Sequence, residues 1–184
     1  MKLKKLILAA LFASLTAVGA FISINIGIST ITLQFLFTAL AGVILGAKYG
    51  ALSQAVYVAL GLVGVPIYAG GVGGFQYVLR PTFGFLVGLI PAAFVIGIVA
   101  SKKLTFWNTA LACTVGLGIL YAIGVPYMAV ICNAYLGYNM SFWDIMKTGM
   151  IIYLPGDFAK IAVCAFLAPK LTGVLKKTGM LEKN

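Results

Sequence analysis

Histidine is absent from this chain, and acids number only three: Asp144, Asp157 and Glu182. Without histidine there is no Ser–His nucleophile and no imidazole metal ligand. Asp144 and Asp157 are far apart with no third acid beside them, so a paired-carboxylate site is excluded as well. The three cysteines, Cys113, Cys132 and Cys164, lie in apolar surroundings without metal spacing. They read as small buried residues, and no disulfide or metal site is expected. The glycine-rich stretch Gly70-Gly71-Val72-Gly73-Gly74 lacks the Gly-x4-Gly-Lys-Ser/Thr pattern of a nucleotide site, so nothing here binds ATP. Charge of either sign is scarce: charged residues make up 9% of the chain, hydrophobic residues 62%, and mean hydropathy is +1.11. A soluble domain of that composition could not cover itself with polar surface. The expectation is one integral membrane domain over residues 1–184, without enzymatic activity or cofactor. Two classes remain: a membrane protein that binds and moves a small solute, and a structural or assembly subunit, with an intramembrane hydrolase a distant third.

What the chain does contain is apolar runs. Met1 to Ala20 mimics a secretory signal, but the sequence after it is equally hydrophobic, so it is read as the first membrane helix. Six spans are expected, about Leu3–Phe21, Leu33–Ala47, Tyr49–Val63, Pro81–Ala100, Phe106–Ala134 and Ile145–Leu171, in an all-α bundle. The second and third are short for a ~30 Å hydrocarbon core. The last should break or kink at Pro155. Between the first two spans Ile24, Ile26 and Ile28 alternate with Ser23, Asn25, Gly27 and Ser29, a strand-like period that predicts a β-like loop at the surface.

The net charge of +10 does not point to nucleic acid, because the basic residues are single or paired between apolar runs. With the N-terminus in the cytoplasm, Lys2, Lys4, Lys5, Lys48, Lys102, Lys103, Lys170, Lys176, Lys177 and Lys183 all fall inside, ten of the thirteen basic residues. This satisfies the positive-inside rule with both termini cytoplasmic in a cell membrane. The β-like loop, the glycine loop and Asp157 then converge on the outer side. Asp157 is carried into the bilayer by the apolar residues after it, and Lys160 lies one turn on along the same face. An ionised group in hydrocarbon costs roughly 2.5–3.5 kcal/mol on the insertion scale and marks a site by default. A structural Asp–Lys pair joining two helices is the other reading. Ala9, Ala13 and Ala17 form a smooth stripe that lets another helix approach closely. The glycine loop is read as a flexible turn forming a pocket wall.

Gln34 in Ile31-Thr32-Leu33-Gln34-Phe35, the Tyr57-x3-Gly61-x2-Gly64-Val65-Pro66 spacing, the glycine loop, Arg80-Pro81-Thr82-Phe83-Gly84 and Leu154-Pro155-Gly156-Asp157-x2-Lys160 occur in that order. Together they resemble the BioY family, the biotin-specific substrate-binding (S) components of energy-coupling-factor (ECF) transporters, over about residues 5–175. Arg80 departs from the family's usual Gly-Pro-Thr. The resemblance implies six helices around an outer pocket and biotin as the transported ligand. It also implies a transmembrane T subunit docked on the Ala9/Ala13/Ala17 stripe, and two ATP-binding-cassette ATPases as the energy source. Biotin's ureido ring and carboxylate tail suit Asp157 and Lys160, with amides from Gln34 and Asn133, walls from Tyr57, Tyr77 and Phe75, and Arg80 as a second cation. An S component for thiamine or riboflavin is the rival within the class, and a ligand-free structural subunit the rival outside it.

Overall fold

A computed structural model describes residues 2–101 and 104–181. Lys102, Lys103 and Lys183, used above in the charge pattern, and the acid Glu182 lie outside the described residues. Helix α1 (Lys2–Phe21) leads into a hairpin of β1 (Ser23–Ile26) and β2 (Ser29–Thr32), paired antiparallel with Ser23 opposite Thr32 and Ile26 opposite Ser29. Then come α2 (Gln34–Leu62), a 3-10 turn (Phe75–Leu79), α3 (Phe83–Ala100) and α4 (Phe106–Val130), which runs on through a π-helical turn to Tyr135. A short α5 (Phe142–Met146) and a π-helical turn (Lys147–Ile151) precede α6 (Leu154–Lys177). The β-like loop expected from the isoleucine alternation is this hairpin.

Among the described residues, five helices are long and apolar enough to cross a membrane, not six. The difference lies in α2, which joins the two short spans expected at 33–47 and 49–63. It is not straight. Gly46 has φ 77° and ψ 176°, a backbone region that is essentially glycine-only. Gln34 hydrogen-bonds Tyr57 at 2.8 Å, yet on a straight helix residues that far apart in sequence would be separated by roughly 35 Å. A Cβ added to Gly50 would lie 2.8 Å from the Cα of Gly42. The chain therefore doubles back at Gly46, and α2 is two arms packed face to face, 34–45 and 47–62. The break falls two residues before Lys48, which is exposed at the start of the second arm. A Cβ at Gly46 would meet nothing within 4 Å, so the constraint there is conformational rather than steric. Gly46→Ala is expected to cost about 1–3 kcal/mol of stability, read from thermal unfolding in detergent.

Polar groups buried with this turn are all partnered. Gln54 accepts from Thr38 at 2.9 Å and donates to Ser53 at 3.0 Å and to Thr16 of α1 at 3.3 Å. Thr38 and the backbone of Gln34 are the adjoining link, at 3.0 Å. In hydrocarbon such groups have no water to turn to, so the network fixes how α1 and the two arms sit. Ala9, Ala13 and Ala17 are all buried, and α1 packs along α2. This corrects the expectation that the stripe is a free docking surface: the close approach it allows is to the chain's own helices.

The last span also differs in detail. Its helical run is Phe142–Lys177, with a turn at Ile152–Tyr153 placing Pro155 in the first turn of α6, where a missing N–H is tolerated. Asp144 is exposed and closes a capping box with Ser141 at the start of α5. Lys4 donates to the carbonyl of Gly179 at 2.9 Å, so the start of α1 and the segment after α6 share one end of the bundle. The β-hairpin and the first turn of α6 share the other, because Thr30 N–H donates to the Tyr153 hydroxyl and Ser29 to the carbonyl of Thr148.

Candidate functional site

At the hairpin end the helices enclose a pocket with about 610 Å³ of space including its mouth. Ligand sites for small molecules combine mostly apolar walls with a few placed polar groups. Here the apolar walls come from α3 and α4 (Phe85, Leu86, Leu89, Leu120), and the polar groups cluster at three places.

The first is the start of α6. Lys160 Nζ donates to Asp157 Oδ1 at 2.7 Å, and the Tyr121 hydroxyl of α4 donates to Asp157 Oδ2 at 2.5 Å. Asp157 and Lys160 are 4% and 7% exposed, so the ion pair is held away from water but opens on the pocket. The first-turn position of Asp157 adds the favourable end of the α6 dipole. A carboxylate offers about four lone-pair sites, and Lys160 and Tyr121 take one on each oxygen. Acceptor capacity therefore remains on both oxygens. Tyr121 also ties α4 to α6 through the same carboxylate, so the helix-to-helix link expected of the pair is made by Asp157 with Tyr121, while Lys160 is on the same helix as Asp157.

The second is Gln34 at the start of α2. Its Nε2 donates to the Tyr57 hydroxyl at 2.8 Å, its Oε1 accepts from Thr32 at 2.8 Å, and Tyr57 donates onward to the carbonyl of Ile67 at 3.2 Å. Tyr57 is fully buried and stands behind Gln34, outside the lining. It orients the amide rather than forming the wall expected of it.

The third is the aromatic rim. Tyr77 and Ala69 of the loop region line the pocket. The glycine loop is not a loose turn. Tyr68 is fully buried under it, donates to the carbonyl of Val58 at 2.6 Å, and its own N–H bonds Val72. Burial, and secondarily the neighbouring Tyr77, pushes the Tyr68 phenol up to about 12, so it stays a neutral donor. Rings then pack in series from Tyr57 to Tyr68, Tyr77, Phe83 and Tyr127.

The remaining candidates sit elsewhere. Arg80 is exposed, with its guanidinium 5.3 Å from the centre of the Tyr77 ring, at the rim rather than in the lining. Asn133 lies at the far end of α4, exposed, with its side chain bonded to both the N–H and the carbonyl of Met140. It closes that connection and is absent from the pocket wall. Phe75 is 77% exposed and likewise forms no wall. Sequence reasoning missed Tyr121, Tyr153, Phe85 and the β2 residues Thr30 and Thr32, all of which line the pocket. Among the described residues no group of three metal-ligating side chains is assembled.

This arrangement has relatives. The chain is 41% identical to a probable biotin transporter BioY of Lysinibacillus sphaericus, across 96% of this chain and 91% of that one. It is 40% identical to the biotin transporter BioY of Thermotoga maritima, across 92% and 96%. The solved structure of the S-component for biotin from an ECF-type ABC transporter superposes with a TM-score of 0.81 at 24% identity, covering 92% of this chain and 91% of that one, and so shares the fold. The profile of the BioY family matches residues 1–177, and with these relatives it establishes that the chain belongs to the BioY family.

Proposed function

We propose that this chain is the biotin-binding S component of an ECF-type uptake transporter. The observation that carries the reading is the carboxylate of Asp157, held by Lys160 and Tyr121 on the wall of an otherwise apolar pocket. Biotin's ureido group has two N–H donors and one acceptor. Asp157 retains acceptor sites for the donors, and Lys160 has further N–H groups for the ureido oxygen. Leu86, Leu89 and Phe85 suit the apolar bicyclic body. Arg80, at the rim, suits the carboxylate tail. Gln34 supplies an oriented amide. A thiamine S component fits less well, since an acid already neutralised by a lysine gives a cationic ring no excess negative charge.

On this reading the six-helix description of the family counts the two arms of α2 separately. The termini face the cytoplasm, in line with the lysine pattern and with the contact of Lys4 with Gly179. The pocket then opens outward in the cell membrane, with the β-hairpin and the glycine loop closing over the ligand. The chain carries no ATP motif, so a T subunit and two ATPase subunits supply the energy. No cofactor is involved; biotin is the cargo.

The test is saturable binding of radiolabelled biotin to the purified full chain in detergent. Nanomolar binding is expected, and an absence of binding at micromolar biotin by well-folded protein would reject the reading. Two variants refine it. Tyr121→Phe removes one charge-assisted donor and should weaken biotin by roughly tenfold, from about 1–2 kcal/mol. Asn133→Ala should stay within about twofold of the parent in the same assay, because its bonds lie outside the pocket.

A further inference from the structure

Cys113 of α4 and Cys164 of α6 are both fully buried, and the Cys113 thiol donates to the Cys164 sulfur at 3.7 Å. They lie on the seam that also carries the site. Cys164 is one turn beyond Lys160, and Cys113 is about two turns before Tyr121, so the thiols stand roughly 10–12 Å along the helices from the Tyr121–Asp157 contact. Nothing in the ligand site uses them. Cys132 cannot join them: it is at the other end of α4, roughly 28 Å from Cys113 along the helix.

We propose that Cys113 and Cys164 form a redox modification site, a dithiol that a lipid-soluble quinone oxidises to a disulfide fastening α4 to α6. The sulfurs need to close by about 1.7 Å to reach bonding distance. The two thiols lose two protons and two electrons as the S–S bond forms, and the quinone takes up both to become the hydroquinone. The apolar seam selects the oxidant. Both sulfurs are fully covered by the helices, so an oxidant meets them only when the α4–α6 seam opens, and it opens into lipid, where a quinone is dissolved and charged disulfides are not. The proposal is independent of which molecule the pocket holds.

The full chain in lipid nanodiscs, treated with tetramethylbenzoquinone (fully substituted, so it does not alkylate thiols), is denatured, labelled with excess maleimide and weighed intact. Untreated protein should take up three labels, one per free cysteine. Oxidised protein should take up one, at Cys132, and dithiothreitol should restore three. Cys113→Ser should take up two labels with or without quinone. Three labels after quinone treatment would overturn the proposal, and so would quinone-dependent loss of label in Cys113→Ser. Phenylarsine oxide, which needs two sulfurs at once, gives an independent reading. One adduct is expected in the parent and in Cys132→Ser and none in either Cys113→Ser or Cys164→Ser; no adduct in the parent, or an adduct in either of the last two, overturns it.

Discussion

Asp157→Asn should lower biotin affinity by about 100-fold or more, with the helical circular dichroism unchanged. The amide keeps the shape of the carboxylate but not its charge, and one of its two terminal atoms becomes a donor. That atom faces either the Tyr121 hydroxyl or the Lys160 ammonium, both of which are donors to Asp157. Either way the pocket is left with a cation lacking its counter-ion, a change that costs about 3–5 kcal/mol when a buried pair is broken. A ligand donor to a charged acceptor contributes about 1.5–3 kcal/mol, which is where the 100-fold figure comes from. Equilibrium binding of radiolabelled biotin to the variant measures it. Parent-like affinity would remove Asp157 from the ligand contact and leave it the role of joining α4 to α6.

Gly97→Ala should be among the most damaging single methyls in the fold. A Cβ there would lie 2.2 Å from the nitrogen of Ala47, 2.5 Å from its Cα and 2.5 Å from the carbonyl carbon of Gly46. All three atoms are backbone, and they belong to the point where α2 reverses, so no side chain can rotate out of the way. Inserting one methylene into a filled core costs typically about 1–3 kcal/mol, and the fixed neighbours place this site at the upper end. Gly118→Ala is the matched control. It also lies in a helix, but its added Cβ would meet nothing within 4 Å. That change should be neutral or slightly stabilising, by up to about 1 kcal/mol from helix propensity. Thermal unfolding of the two variants side by side distinguishes a packing effect at the α2 turn from a general intolerance of alanine for glycine.

Much of this was legible in the chain, and the pattern of what was not is informative. Asp157 and Lys160 declare themselves because the composition leaves few acids and the local sequence is apolar. The hairpin at 23–32 follows from alternation, a local property. Gln34 was found within a motif. Tyr121 was not, because one hydroxyl in an apolar helix gives no periodic signal; its meaning depends on α4 and α6 lying side by side. The alanine stripe shows the same boundary from the other direction. Small residues predict a close neighbour but not which one, and the neighbour is α2 of the same chain. Asn133 looked like a pocket amide by type alone, whereas its partner is a backbone seven residues away. The spans at 33–47 and 49–63 were right as helical segments. Their reversal was expected too, from Lys48 lying inside between two separate spans; what the pattern did not show is that one backbone conformation, at Gly46, makes the turn without a loop.

The ion pair on α6 has an electrical consequence. A carboxylate and an ammonium 2.7 Å apart form a dipole with no net charge. A potential difference across the bilayer acts on each elementary charge with about 2.3 kcal/mol per 100 mV. It exerts no net pull on the pair, which can sit at any depth without being drawn toward either face. An anionic guest alone would feel the voltage.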